Sequence, residues 1–110
     1  MNTTVQNEVK MAYADCWMDG NEAYNLRNLN FRASKAVSRD EAYEIMRQFV
    51  PGYNFFEPKL IKKFPANTQI VIAREGSVCL YVKARKHPSA KAVKADEMDK
   101  EGEFVRYWWN

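Results

Sequence analysis

Apolar residues recur at helical spacing in the first half of the chain and at strand spacing in the second. Val5, Val9, Tyr13 and Trp17 fall every fourth position, with Ala12 and Cys16 beside them, which predicts one helix with a single apolar stripe. Thr3 and Gln6 have the spacing of a capping box, and Asp19-Gly20 supplies a stop. Residues 21–33 fit neither period and read as a short helical turn followed by irregular or extended chain. A second helix starts at Ser38, whose S-x-x-E pattern with Glu41 is a capping box. Ala42, Ile45, Met46 and Phe49 continue it on one face, and Pro51-Gly52 ends it. The aromatic stretch YNFFEP that follows reads as a loop.

From Lys59 the period changes. KLIKKF reads as a short edge strand. TQIVIAR and SVCLYVKAR are rich in β-branched residues and are joined by Glu75-Gly76, the pattern of a tight antiparallel hairpin over 68–86. His87-Pro88-Ser89 breaks the second strand, Lys91–Ala95 reads as a short strand or a loop, DEMDKEG as a polar connection, and EFVRYWW as a last strand. The expected fold is α+β: two N-terminal helices followed by a three- or four-stranded antiparallel β-meander, in one compact domain over 1–110. The runs Ile70–Ala73 and Val78–Val82 are apolar at consecutive positions, so both faces of the sheet centre are apolar. Either helices cover both faces, or one face meets a partner, and a homodimer is one such solution.

Composition narrows the class. The chain has 110 residues, 46% of them hydrophobic and 28% charged, with four Gly and four Pro, which excludes disordered and collagen-like chains. Two cysteines exclude a disulfide-dense scaffold. There is no apolar run long enough for a membrane helix and no leader pattern in MNTTVQNEVK, so the expectation is a cytoplasmic protein without membrane contact.

Candidate chemistry is sparse. His87 is the single histidine, and it precedes a proline, where it reads as a turn residue. Cys16 and Cys79 have apolar neighbours and read as small buried hydrophobes. A calcium loop started at Glu97 has acidic residues at its first, third and fifth positions and Gly102 at its sixth, but Trp108 stands where the bidentate glutamate belongs. Phosphate loops and nucleophile elbows are absent. Neither a catalytic site nor a cofactor or metal is expected.

Charge is the strongest functional signal. Residues 1–58 carry net −2, residues 59–94 net +8, and residues 95–110 net −3. A positive stretch of this kind suits a polyanion, because each phosphate neutralised releases counterions. Lys62, Lys63, Arg74, Lys83, Arg85 and Lys86 are the expected contacts, and Tyr81 and Phe64 could stack on bases. Trp108 and Trp109 point to opposite faces of the last strand, which makes Trp109 a candidate exposed anchor for a partner. The acidic block that follows could instead cancel the basic one in space. The expectation is a small non-enzymatic binding protein for nucleic acid or a nucleoprotein complex. The alternative is a protein–protein inhibitor or adaptor, of the type encoded by phages and mobile elements, that occludes an acidic partner surface.

Overall fold

The computed structural model describes Val9, residues 33–74 and residues 77–110. Five strands form one antiparallel sheet: β1 (Ala33–Ser38), β2 (Gln69–Arg74), β3 (Val78–Lys83), β4 (Glu97–Glu101) and β5 (Phe104–Trp109). The helix α1 (Arg39–Phe49) follows β1 directly, and two 3-10 turns cover Pro58–Lys63 and Lys91–Val93. The strand order is β1-β2-β3-β5-β4. This overturns the expected α+β arrangement of two helices ahead of a meander. The described chain is mostly β, a strand leads into its one long helix, and β5 is inserted between β3 and β4. The first expected helix lies outside the described residues apart from Val9, which is helical and fully buried. The turn residues Glu75 and Gly76 also lie outside them.

α1 forms where the sequence starts it. Ser38 has extended backbone angles, and its Oγ accepts the Glu41 amide at 3.1 Å, so one orphan donor of the first turn is satisfied. Ala42, Ile45 and Met46 then face the sheet and are buried. Cutting Ile45 or Met46 back to alanine costs about 2–5 kcal/mol in a packed core.

β2 and β3 pair antiparallel, with Ile70 opposite Val82, Ile72 opposite Leu80 and Arg74 opposite Val78. The next register step places Leu80 beside Tyr107 and Val78 beside Trp109. Since side chains alternate across a strand, these residues share the face on which α1 packs. Ala73 and Cys79, on the other face, are fully buried too, while Val71, Tyr81 and Trp108 are half-buried there.

Three segments depart from the sequence reading, each for a physical reason. β1 falls where the sequence predicts irregular or extended chain as far as residue 33 and no element over 34–37, because ASKAVS holds one large apolar residue, Val37. Its ladder is interrupted between Ala33 and Ala36, and the Ser34 side-chain oxygen accepts the Ile72 amide at 3.0 Å in place of a main-chain carbonyl. KLIKKF is a 3-10 turn, not an edge strand. Pro58 opens it, where a missing N–H costs nothing. The turn buries Leu60 and Ile61 together, which a strand would point to opposite faces. DEMDKEG is not a loop: it holds β4, and Gly102, at φ +62, opens the two-residue turn into β5.

Because β5 separates β3 from β4, the chain from 84 to 96 crosses the α1 face of the sheet. Val93 anchors this crossing in the core. Along β5 the rings form a chain of contacts. Phe56 meets Trp109 edge-on at 5.0 Å, Trp109 stacks on Tyr107 at 6.3 Å, and Phe64 meets Tyr107 edge-on at 5.2 Å.

Candidate nucleic-acid interface

The crossing between β3 and β4 carries Arg85, Lys86, Lys91 and Lys94, all exposed, and meets no acidic residue before Asp96. Its backbone is held at several points. The His87 Nε2 lies 3.2 Å from the Val82 carbonyl, the bond a turn histidine makes when that nitrogen carries the proton. The Tyr107 hydroxyl donates to the Pro88 carbonyl at 2.6 Å, and the Trp109 indole N–H donates to the Val93 carbonyl at 3.0 Å. Ser89 Oγ accepts the Ala92 amide at 3.1 Å, and the Ala95 amide bonds to the Ala90 carbonyl at 2.9 Å. Lys94 sits in the left-handed region at φ 57. These contacts fix where the four cations project.

The two 3-10 turns pack against each other. Leu60, Ile61 and Val93 turn inward, leaving Lys59, Lys62, Lys63, Lys91 and Lys94 outside. Two of these are engaged. Lys62 lies 2.9 Å from an Asp40 carboxylate oxygen and 4.6 Å from the centre of the Tyr43 ring, and Lys59 lies 3.5 Å from Glu57. Hydrogen bonds from Lys62 and then Arg39 hold the Asp40 carboxyl below its ordinary range. Among the described residues no ion pair involves Lys63, Arg85, Lys86, Lys91 or Lys94.

At the end of β2 and β3, Asn67, Gln69, Lys83, Ala84 and Arg85 line an open cleft of 340 Å³ without a carboxylate in its wall. Lys83 makes a 3.6 Å contact to Glu103. The rest of the acidic block does not reach the basic one: Glu97 and Asp99 lie 3.2 and 3.4 Å from Arg106 of their own hairpin.

Among the expected contacts, Lys62 and Lys63 lie on the 3-10 turn that packs against the turn of Lys91 and Lys94, and Arg85 and Lys86 begin the crossing. Lys83 shares the cleft with Arg85 but by alternation with Val82 projects from the sheet face away from α1. Four other expected residues are set apart. Arg74 is 4% exposed at the end of β2 and is no solvent-facing phosphate ligand. Trp109, 1% exposed, is part of the core and not a surface anchor. Tyr81 is half-buried on the sheet face away from the 3-10 turns. Phe64 is buried against Tyr107, so it offers no ring for stacking. Lys91 and Lys94 join the surface through the second 3-10 turn; their i, i+3 spacing was the available signal. Asn67 and Gln69 join it through the cleft, for which the sequence carries no signal.

The segment tested as a calcium loop is a β-hairpin, and Cys79 is buried mid-strand. Cys16 lies outside the described residues. Among the described residues no three metal-ligating side chains converge, and no helix is long and apolar enough to cross a membrane. No protein-family model, curated protein or solved structure matches this chain.

Proposed function

We propose that this is a small non-enzymatic binding protein of the cytoplasm that engages the phosphate backbone of a nucleic acid, alone or within a nucleoprotein complex. The observation that carries the reading is the pinned crossing of residues 84–94, with four exposed cations and no carboxylate. Lys63 lies on the 3-10 turn packed against this crossing, and Arg85 links the crossing to the cleft of Asn67, Gln69 and Lys83. Preorganised cations of this kind neutralise phosphates without first ordering a loop, which lowers the entropic cost of binding. Among the described residues the large exposed hydrophobics are Phe55, which lines a cleft with Asp96 and Asn110, and Met98 on β4. Backbone contact to a duplex therefore has more support than stacking on unpaired bases.

The test is binding to a duplex over a range of salt. The affinity should fall on a log–log plot with a slope of roughly −0.9 per phosphate contacted. Reversing Arg85, Lys86 and Lys91 to Glu should abolish binding with the fold intact. A wild-type protein that binds no DNA or RNA at low salt, or a folded triple variant that binds as before, would refute the reading.

Phe55, 69% exposed at the tip of the Tyr53–Phe56 turn, favours the second reading, an inhibitor or adaptor that occludes a partner protein. In that case the basic surface speeds the encounter with an acidic partner. Salt then changes the association rate and leaves the dissociation rate nearly constant.

A further inference from the structure

β4 is exposed along its whole length and stands at the edge of the sheet. Glu101 and Phe104 flank a two-residue turn, and that closure requires them to exchange both main-chain hydrogen bonds. Alternation makes Asp99 with Arg106 and Glu97 with Trp108 the other bonded pairs. The amides and carbonyls of Met98 and Lys100 therefore point away from β5, and among the described residues no further strand pairs with them. A row of outward main-chain groups is a template for an added strand.

The side chains choose what can be added. Glu97, Asp99 and Glu101 lie on one face of β4, with Met98 and Lys100 on the other. Five carboxylates stand between Asp96 and Glu103 against one lysine. Phe55 and Asp96 line a common cleft at the start of the strand, and Met98, 37% exposed, follows along it.

We propose that the open edge of β4 receives an extended segment of a partner protein that carries lysine or arginine at alternate positions. Main-chain bonds to Met98 and Lys100 hold the segment, and its cations lie opposite Glu97, Asp99 and Glu101. A second copy of this chain is a poor occupant. Antiparallel pairing of two β4 strands about Asp99 sets Asp99 against Asp99 and Glu97 against Glu101, and like charges opposite one another destabilise a sheet. A nucleic acid is repelled by the same carboxylates.

A short end-capped peptide of alternating lysine and valine is the probe, titrated into the isotope-labelled full chain. The Met98 and Lys100 amide resonances should move. Replacing the peptide's lysines with glutamate should weaken binding by at least about tenfold, because direct like-charge contacts replace attractive ones. Met98→Pro removes an outward N–H that β5 does not use, so the sheet should persist and the peptide should bind about tenfold more weakly. Glu101→Lys, which needs no backbone change, should weaken binding about threefold. A lysine peptide with proline in place of valine cannot form a ladder; if it binds equally well, charge alone explains the contact and the proposal fails. It fails too if the shifts map away from β4, or if the chain self-associates through β4 without peptide.

Discussion

The basic surface and the acidic edge are both charged and exposed, yet they are held by different means. Each basic turn has its own apolar residues in the core, Leu60 and Ile61 in one and Val93 in the other, and the buried rings of Tyr107 and Trp109 bond to carbonyls of the crossing that carries the second. β4 contributes no buried residue and is held by its ladder with β5. Exposure of the side chain therefore says little about the rigidity of the backbone beneath it. The cations stand on a fixed scaffold suited to a regular array of phosphates. The carboxylates stand on a strand with one side of its backbone unused, suited to another strand. Amide exchange should reflect this: the Ala95 amide, bonded to Ala90, should be protected, whereas those of Met98 and Lys100 should exchange quickly.

Trp109→Ala is the most severe way to break the contrast. It removes the ring that joins Phe56 to Tyr107 and the donor to Val93, so the urea midpoint should report a loss of about 3–5 kcal/mol. Exchange at Ala95 should rise with it. A loss under about 1 kcal/mol would mean that the basic crossing is not anchored as described.

Tyr107→Phe deletes only the hydroxyl bonded to Pro88 and should cost about 0.5–1.5 kcal/mol at neutral pH. It also gives a pH signature. Burial pushes the Tyr107 phenol up to about 12, above its ordinary value of 10.0. The folded protein then keeps this proton after the unfolded chain has begun to release it. The contribution is intact below about pH 10 and is lost as pH rises from there through about 12. Alkaline melts of Tyr107→Phe should show a shallower decline than those of the wild type.

Ser38→Ala sharpens the comparison from the helix side. The cap holds the first turn of α1, where Asp40 receives Lys62, and its loss should lower stability by about 1 kcal/mol. Duplex binding should be nearly unchanged, since Arg85, Lys86, Lys91 and Lys94 are positioned by other contacts.

Glu101→Gln should have the smallest effect, within about 0.5 kcal/mol in a denaturant melt, because an exposed edge residue outside any buried network contributes little. A larger loss would show that the acidic edge is part of the fold's stability and not only of its surface.

Much was legible along the chain because the cause is local. The Ser38 hydroxyl caps a helix three residues away, and Ala42, Ile45 and Met46 recur with the helical period. Ile70, Ile72, Leu80 and Val82 pair across an antiparallel ladder whose residue types already favour extended backbone. The charge imbalance of residues 59–94 is likewise a property of order in the chain. Other features have no local cause. EMDKE has no apolar period and becomes a strand only because β5 offers it a ladder. PKLIKK turns because Leu60 and Ile61 must enter one core together. Trp108 and Trp109 are adjacent in sequence and differ by one step of the pleat, so the register of β5 on β3 puts Trp109 inside and leaves Trp108 half-buried on the other face. Periodicity can report that neighbours part to opposite sides. Which side is the core depends on the elements that arrive there from elsewhere in the chain.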